Sequence, residues 1–181
     1  MKKLIAVLVI ALMALPALCA KQIIMGKYKD DKGQTKAIRW IVLEETNGTA
    51  LLLCRDSLGR KQYNEISQKT SWEESSVCKY LNGDFLQKCF TKQERQKIVK
   101  KEGFKVRLLT VKEAEKYLKK DLTCFNLFDK DRRPVWWWLK DSGVDEIHAA
   151  FVEPEGRINK EGFGVATAHP ELRPVIVVKT K

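Results

Sequence analysis

Histidine is scarce in this chain: His148 and His169 are the only two in 181 residues. Both lie far in sequence from the cysteines, whose spacings match no zinc pattern, so no metal centre is expected. Neither histidine falls in a recognisable nucleophile motif, which removes the usual signal for a serine or cysteine hydrolase. No nucleic-acid motif accompanies the basic charge, so no nucleic-acid partner is expected. Internal repeats, low-complexity tracts and linkers are missing as well. After the first 20 residues no apolar run is long enough to cross a bilayer.

The chain opens Met1-Lys2-Lys3 and then runs apolar from Leu4 to Leu15, followed by Pro16-Ala17-Leu18-Cys19-Ala20. A basic start, a short apolar run and small residues at its end predict a secretory signal peptide over residues 1–20. An alternative keeps Cys19 as an acylated terminus, although Leu18 is a poor residue before a lipoprotein cysteine. Taking 20 residues from 181 leaves a single exported domain over residues 21–181, periplasmic, cell-surface or secreted. Loss of Lys2 and Lys3 lowers the net charge from +11 to +9. Such a balance suits solvated faces, or an anionic envelope polymer or acidic protein as partner.

Four cysteines then remain: Cys54, Cys78, Cys89 and Cys124. An even number in an exported domain predicts two disulfides, with three connectivities open. If residues 76–90 form one helix, Cys78 and Cys89 lie about 16 Å apart along it. Pairing them would then need a break at Asn82-Gly83.

The fold class read from the pattern is α+β, a mostly antiparallel twisted sheet with two or three helices. Strands are predicted at 23–28, 37–43 and 50–54, with Asn47-Gly48 as a type I′ hairpin turn. Ile38, Trp40 and Val42 should share a face. Asp56 to Gln68 reads as a long polar loop. Three helices are announced by capping-box spacings: Ser71 with Glu74, Thr91 with Glu94, and Thr110 with Glu113. The middle helix is short, with Ile98 and Val99 as its anchor.

The stretch Val135-Trp136-Trp137-Trp138-Leu139-Lys140 reads as a central strand. Alternation places Val135, Trp137 and Leu139 on one face and Trp136, Trp138 and Lys140 on the other. Both faces are apolar at its middle, so at least two of the tryptophans belong to the core. The closing Val175 to Val178 run is again buried, with Pro174 at its start. These two strands are expected to lie side by side.

Several segments carry a family resemblance. They are Ile38-Arg39-Trp40-Ile41-Val42-Leu43, Leu51-Leu52-Leu53, Tyr63-Asn64, Trp72-Glu73-Glu74-Ser75-Ser76, Leu108-Leu109-Thr110, Trp137-Trp138-Leu139-Lys140-Asp141-Ser142-Gly143 and Glu171-Leu172-Arg173-Pro174-Val175. In these the chain resembles a family of exported bacterial domains of unknown function with Trp-Trp-Leu-Arg-Ser and Gly-Val-Arg-Pro type motifs. It is similar also to C-type-lectin-like folds, among them the formylglycine-generating enzyme. Lys140-Asp141 stands where the family has Arg-Ser, and a lysine lacks the planar fork of arginine.

The resemblance implies a compact C-type-lectin-like domain that binds through loops beside its core strands. The ligand-binding residues it suggests are Trp136, Trp138, Lys140, Asp141 and Arg173. No cysteine follows Cys124, so formylglycine-generating chemistry has nothing to run on. No calcium signature of true lectins is present, and no cofactor is expected. The reading is a non-catalytic exported ligand-binding or protein-interaction domain. The alternatives are an enzyme on that fold without its catalytic cysteines, or a carbohydrate-binding module taking a glycan.

Overall fold

The computed structural model describes residues 21–30, 32–118, 127–129 and 131–180. The predicted signal peptide with Cys19, and Cys124, lie outside the described residues. The fold is α+β, with antiparallel sheets of six and three strands and three helices.

The six-stranded sheet begins as a meander of β1 (Gln22–Lys29), β2 (Thr35–Thr46) and β3 (Thr49–Cys54). Asn47 and Gly48 join β2 to β3 with φ of 50° and 74°. Positive φ at both central positions is what a type I′ turn requires, and Asn-Gly supplies it with little strain. β9 (Val175–Lys179) pairs with β3, while the two-residue strands β4 (Ile98–Val99) and β5 (Val106–Arg107) share its other edge. The second sheet holds β6 (Trp137–Ser142), β7 (His148–Val152) and β8 (Ile158–Gly164) in that order.

One continuous helix covers 76–89, made of α1 (Ser76–Tyr80), a π-helical turn (Leu81–Phe85) and α2 (Leu86–Cys89). Its N-cap is Ser75, whose hydroxyl accepts from the Cys78 N–H at 3.2 Å. Ser71 and Glu74 instead head a turn four residues upstream. That corrects the first predicted start, because a short Ser–Glu spacing fits a single turn as well as a helix. The other two capping boxes hold. Thr91 and Glu94 bond reciprocally at the start of α3 (Lys92–Lys97), and Thr110 and Glu113 do so ahead of α4 (Val111–Leu118). Ile98 and Val99 are not part of the middle helix. They leave it extended, as β4, and pair with Val178 and Val177.

Asn82 explains how so short a strand as β5 is held. Its Nδ2 donates to the carbonyls of Cys78 and Val106, and its Oδ1 accepts from the N–H of Lys105 and of Val106. An amide side chain here does the pairing that a neighbouring strand would do. The helix is wound into a π turn at Asn82-Gly83 but is not broken.

Apolar side chains fall into two clusters, one on each face of the large sheet. Ile38, Trp40, Leu52, Ile176 and Val178 pack against Val77, Leu81, Phe85 and Leu86 of the long helix. Ile41, Leu51, Leu53 and Val175 pack against Ala114, Tyr117 and Leu118 of α4. Trp137, Leu139, Ala150 and Val152 of the small sheet join the second cluster, while Trp138, Ala149 and Phe151 join the first. β6 and β7 therefore contribute to both cores, which is why their buried residues are apolar on both faces.

The tryptophan strand is not the neighbour of β9. It ends the order of its own three-stranded sheet, and its link to the C-terminal segment is a parallel bridge between Trp137 and Glu171. The Glu171 N–H donates to the Trp136 carbonyl at 2.8 Å. Two strands apolar on both faces need cover, but not necessarily from each other.

The disulfide expectation is also corrected: Cys54, Cys78 and Cys89 are free thiols. Cys78 and Cys89 sit near opposite ends of one unbroken helix, beyond the reach of a disulfide. Burial pushes the Cys54 thiol up to about 12 and the Cys78 thiol up to about 11.

Candidate binding site

The run that carries the tryptophans starts from a tight turn. The Asp129 Oδ1 accepts from the N–H groups of Asp131 and Arg133, and Arg132 takes a φ of 59°. The Arg133 N–H, set against some burial, holds the Asp129 carboxyl below the usual range. Pro134 then enters extended backbone, and alternation does the rest. Val135, Trp137 and Leu139 point into one core and Trp138 into the other.

Trp136 is the exception, 38% exposed where Trp137 and Trp138 are 1% and 0%. The cause is its position. Trp137 pairs with Val152, the last residue of β7, so Trp136 lies where the ladder stops. Its ring meets Phe163 edge-on at 6.1 Å between centroids and His169 at 6.5 Å. Phe163 stacks in turn on buried Phe151 at 4.2 Å. Four rings thus run from the core to the surface, ending at Trp136 and the exposed His169. Aromatic faces of this kind stack on sugar rings and apolar side chains.

The other four residues suggested by the resemblance have different surroundings. Trp138 is buried and its Nε1 donates to the Lys61 carbonyl at 2.8 Å. The Lys140 Nζ pairs with Glu102 at 2.5 Å, which draws the Glu102 carboxyl down. Asp141 Oδ2 accepts from the Val111 N–H at 2.6 Å, at the start of α4. Arg173 is wholly buried, and burial pushes its guanidinium down to about 10. Of the five, Trp136 alone offers an aromatic face to solvent.

Phe163 was not singled out in the sequence, and His169 only as a histidine outside any metal or nucleophile pattern. Phe163 reaches the shelf through the β7–β8 register, in which it pairs with Ala149, and a bulge separates that pair from Phe151. No local signal fixes such a register. Beneath the strand, Glu171 is 4% exposed, accepts from the Ser57 hydroxyl at 2.5 Å and pairs with Arg60 at 3.4 Å. It ties the 57–60 loop to the tryptophan strand.

The polar loop predicted at 56–68 carries more structure than its composition suggests. Tyr63 and Asn64 are buried. The Tyr63 hydroxyl donates to the Lys140 carbonyl at 2.6 Å, and its ring meets Trp72 and Trp138 edge-on. The Asn64 Oδ1 accepts from the N–H and the hydroxyl of Ser76, anchoring the helix. Elsewhere, the His148 Nδ1 lies 2.6 Å from Asp145 Oδ1, beside a shallow depression of about 410 Å³ lined by Lys69, Asp145, Glu146 and Ile147. Among the described residues no group of three or more His, Cys, Asp or Glu side chains could hold a metal ion.

No curated protein and no solved structure matches this chain. A family model does match part of it, from the β2–β3 turn into α4, and leaves the tryptophan strand and the aromatic shelf outside. Residues 47–116 are similar to DUF6273, a domain of unknown function, and the match carries no lectin-like identity.

Proposed function

We propose that the protein is an exported, non-catalytic domain that binds a ligand or partner through the shelf of Trp136, Phe163 and His169. One observation carries the reading: of three consecutive tryptophans, only Trp136 is left exposed, and it is braced by two further rings. A cluster of aromatic rings at the surface is the kind of apolar site that a ligand or partner covers. On this reading the domain is C-type-lectin-like in recognising through residues beside its core strands. The non-catalytic reading is supported by Asp141, the acid nearest the tryptophans in sequence, which is committed to the α4 backbone.

A glycan and peptide binding screen at two salt concentrations tests it. The expected result is a sugar or apolar-peptide ligand whose binding is insensitive to salt and is lost in Trp136→Ala. Binding that survives this substitution sinks the shelf. Turnover of any ligand that is abolished by Asp141→Asn sinks the non-catalytic part.

A further inference from the structure

A second surface has a different character. Helix α3 turns Glu94 and Arg95 inward. Glu94 accepts from Thr91 and, through Oε1, from the Gly26 N–H at 2.8 Å. Arg95 Nη1 donates to the Phe90 carbonyl at 2.5 Å and the Gln87 carbonyl at 3.3 Å. Outward it shows Lys92, Gln93, Gln96 and Lys97, all exposed. At 100° per residue these four span an arc of about 140° with no acid in it. Lys100 follows just past β4. Lys27 follows Gly26 on β1, whose N–H reaches Glu94, and so stands at the margin of this helix.

The acids that flank α3 in sequence are engaged elsewhere. Asp84 pairs with Lys88 at 2.8 Å and Glu102 with Lys140. Of the other exposed lysines, Lys29, Lys32, Lys79, Lys112 and Lys179 are also outside any ion pair among the described residues, but they are spread over separate elements, and the rest are paired. Lys21 pairs with Glu45, Lys36 with Asp30, Lys69 with Glu146, Lys116 with Glu44 and Lys160 with Glu115. Lys27, Lys92, Lys97 and Lys100 have no such carboxylate among the described residues.

From this we infer that the α3 face, with Lys27 and Lys100 at its margins, docks a linear phosphate-bearing polyanion. The lysine-only composition sets the partner's chemistry. Arginine forks hold carboxylates and phosphates in a defined bidentate geometry, whereas flexible ammonium groups act as point charges that respond to charge density alone. They suit a polymer whose charges are dense and mobile. Attraction of this kind raises encounter rate and fades as salt shortens its range.

The test is fluorescence anisotropy with end-labelled inorganic polyphosphate at low and at physiological salt, on the chain starting at Lys21. The native protein should bind, with affinity falling steeply as salt rises. Lys92→Glu/Lys97→Glu should weaken binding about tenfold or more. Lys69→Glu/Lys112→Glu makes the same change in net charge elsewhere and should weaken it about twofold at most. Trp136→Ala should leave it unchanged, which separates this surface from the aromatic shelf. All three variants should melt close to the native temperature, since every altered side chain is at least partly exposed. Equal weakening by the two lysine pairs, no binding by the native chain, or equal affinity for polyglutamate each overturns the inference.

Discussion

The Arg173 guanidinium carbon lies 4.9 Å from the centre of the Trp137 ring, and its Nε donates to the Cys54 carbonyl at 2.9 Å. One buried cation thereby touches the end of β3 and the tryptophan strand at once. Arg173→Lys keeps the charge but loses the planar fork and the stack. A loss of about 2–4 kcal/mol is expected in urea unfolding, because a buried charge is then left poorly partnered. A midpoint unchanged from the native protein would mean that the two sheets are joined mainly by other contacts.

The consecutive tryptophans should separate by role. Trp138→Ala removes a fully buried ring and should cost about 3–5 kcal/mol. Trp136→Ala removes a ring already partly in water and should cost much less, about 1 kcal/mol. Thermal melts of the two variants side by side give the comparison, and equal losses would contradict it.

Glu113 should make stability fall in acid. Burial pushes its carboxyl up, but hydrogen bonds from the Arg107 guanidinium and the Thr110 N–H outweigh that and bring it down to about 2 from 4.5. A carboxyl depressed in the folded state stabilises fully above its unfolded value, and the contribution disappears as pH drops through the folded value. The window is therefore about pH 4.5 down to about pH 2, and the size at neutral pH, reduced by solvent screening, is about 1–3 kcal/mol. Glu113→Gln should flatten this part of the stability profile, as read by denaturant midpoints across that range. An unaltered slope would count against the Arg107–Glu113 pair as its source.

Free thiols also make a distinct prediction. Cys54 and Cys78 are buried and Cys89 is half-buried. Alkylation of the native protein, read by peptide mass spectrometry, should modify Cys89 well before Cys54 or Cys78. Dithiothreitol should leave the melting temperature unchanged. A drop of several degrees on reduction would reveal a crosslink bracing the fold.

Much of the scaffold is legible in local chemistry. Asn47-Gly48 specifies its turn because few residues accept positive φ twice in succession. Thr91 with Glu94 and Thr110 with Glu113 specify helix starts, since each pair satisfies backbone donors within four residues of chain. The alternation of Leu51, Leu52 and Leu53 marks a strand covered on both faces. Cysteine parity was a weaker guide: it counts side chains without placing them, and the helix that carries two of them keeps them apart.

By itself, the sequence determined where turns and helices begin, that the fold is α+β, and that two of the three tryptophans must be buried. These follow from the conformational limits of a few adjacent residues and from the solvation cost of large apolar rings. Tertiary structure alone decided which strands pair, that Trp136 is the ring left at the end of a ladder, and that Phe163 and His169 meet it there. Strand order and register depend on contacts between residues far apart in the chain, and no short stretch of residues encodes them.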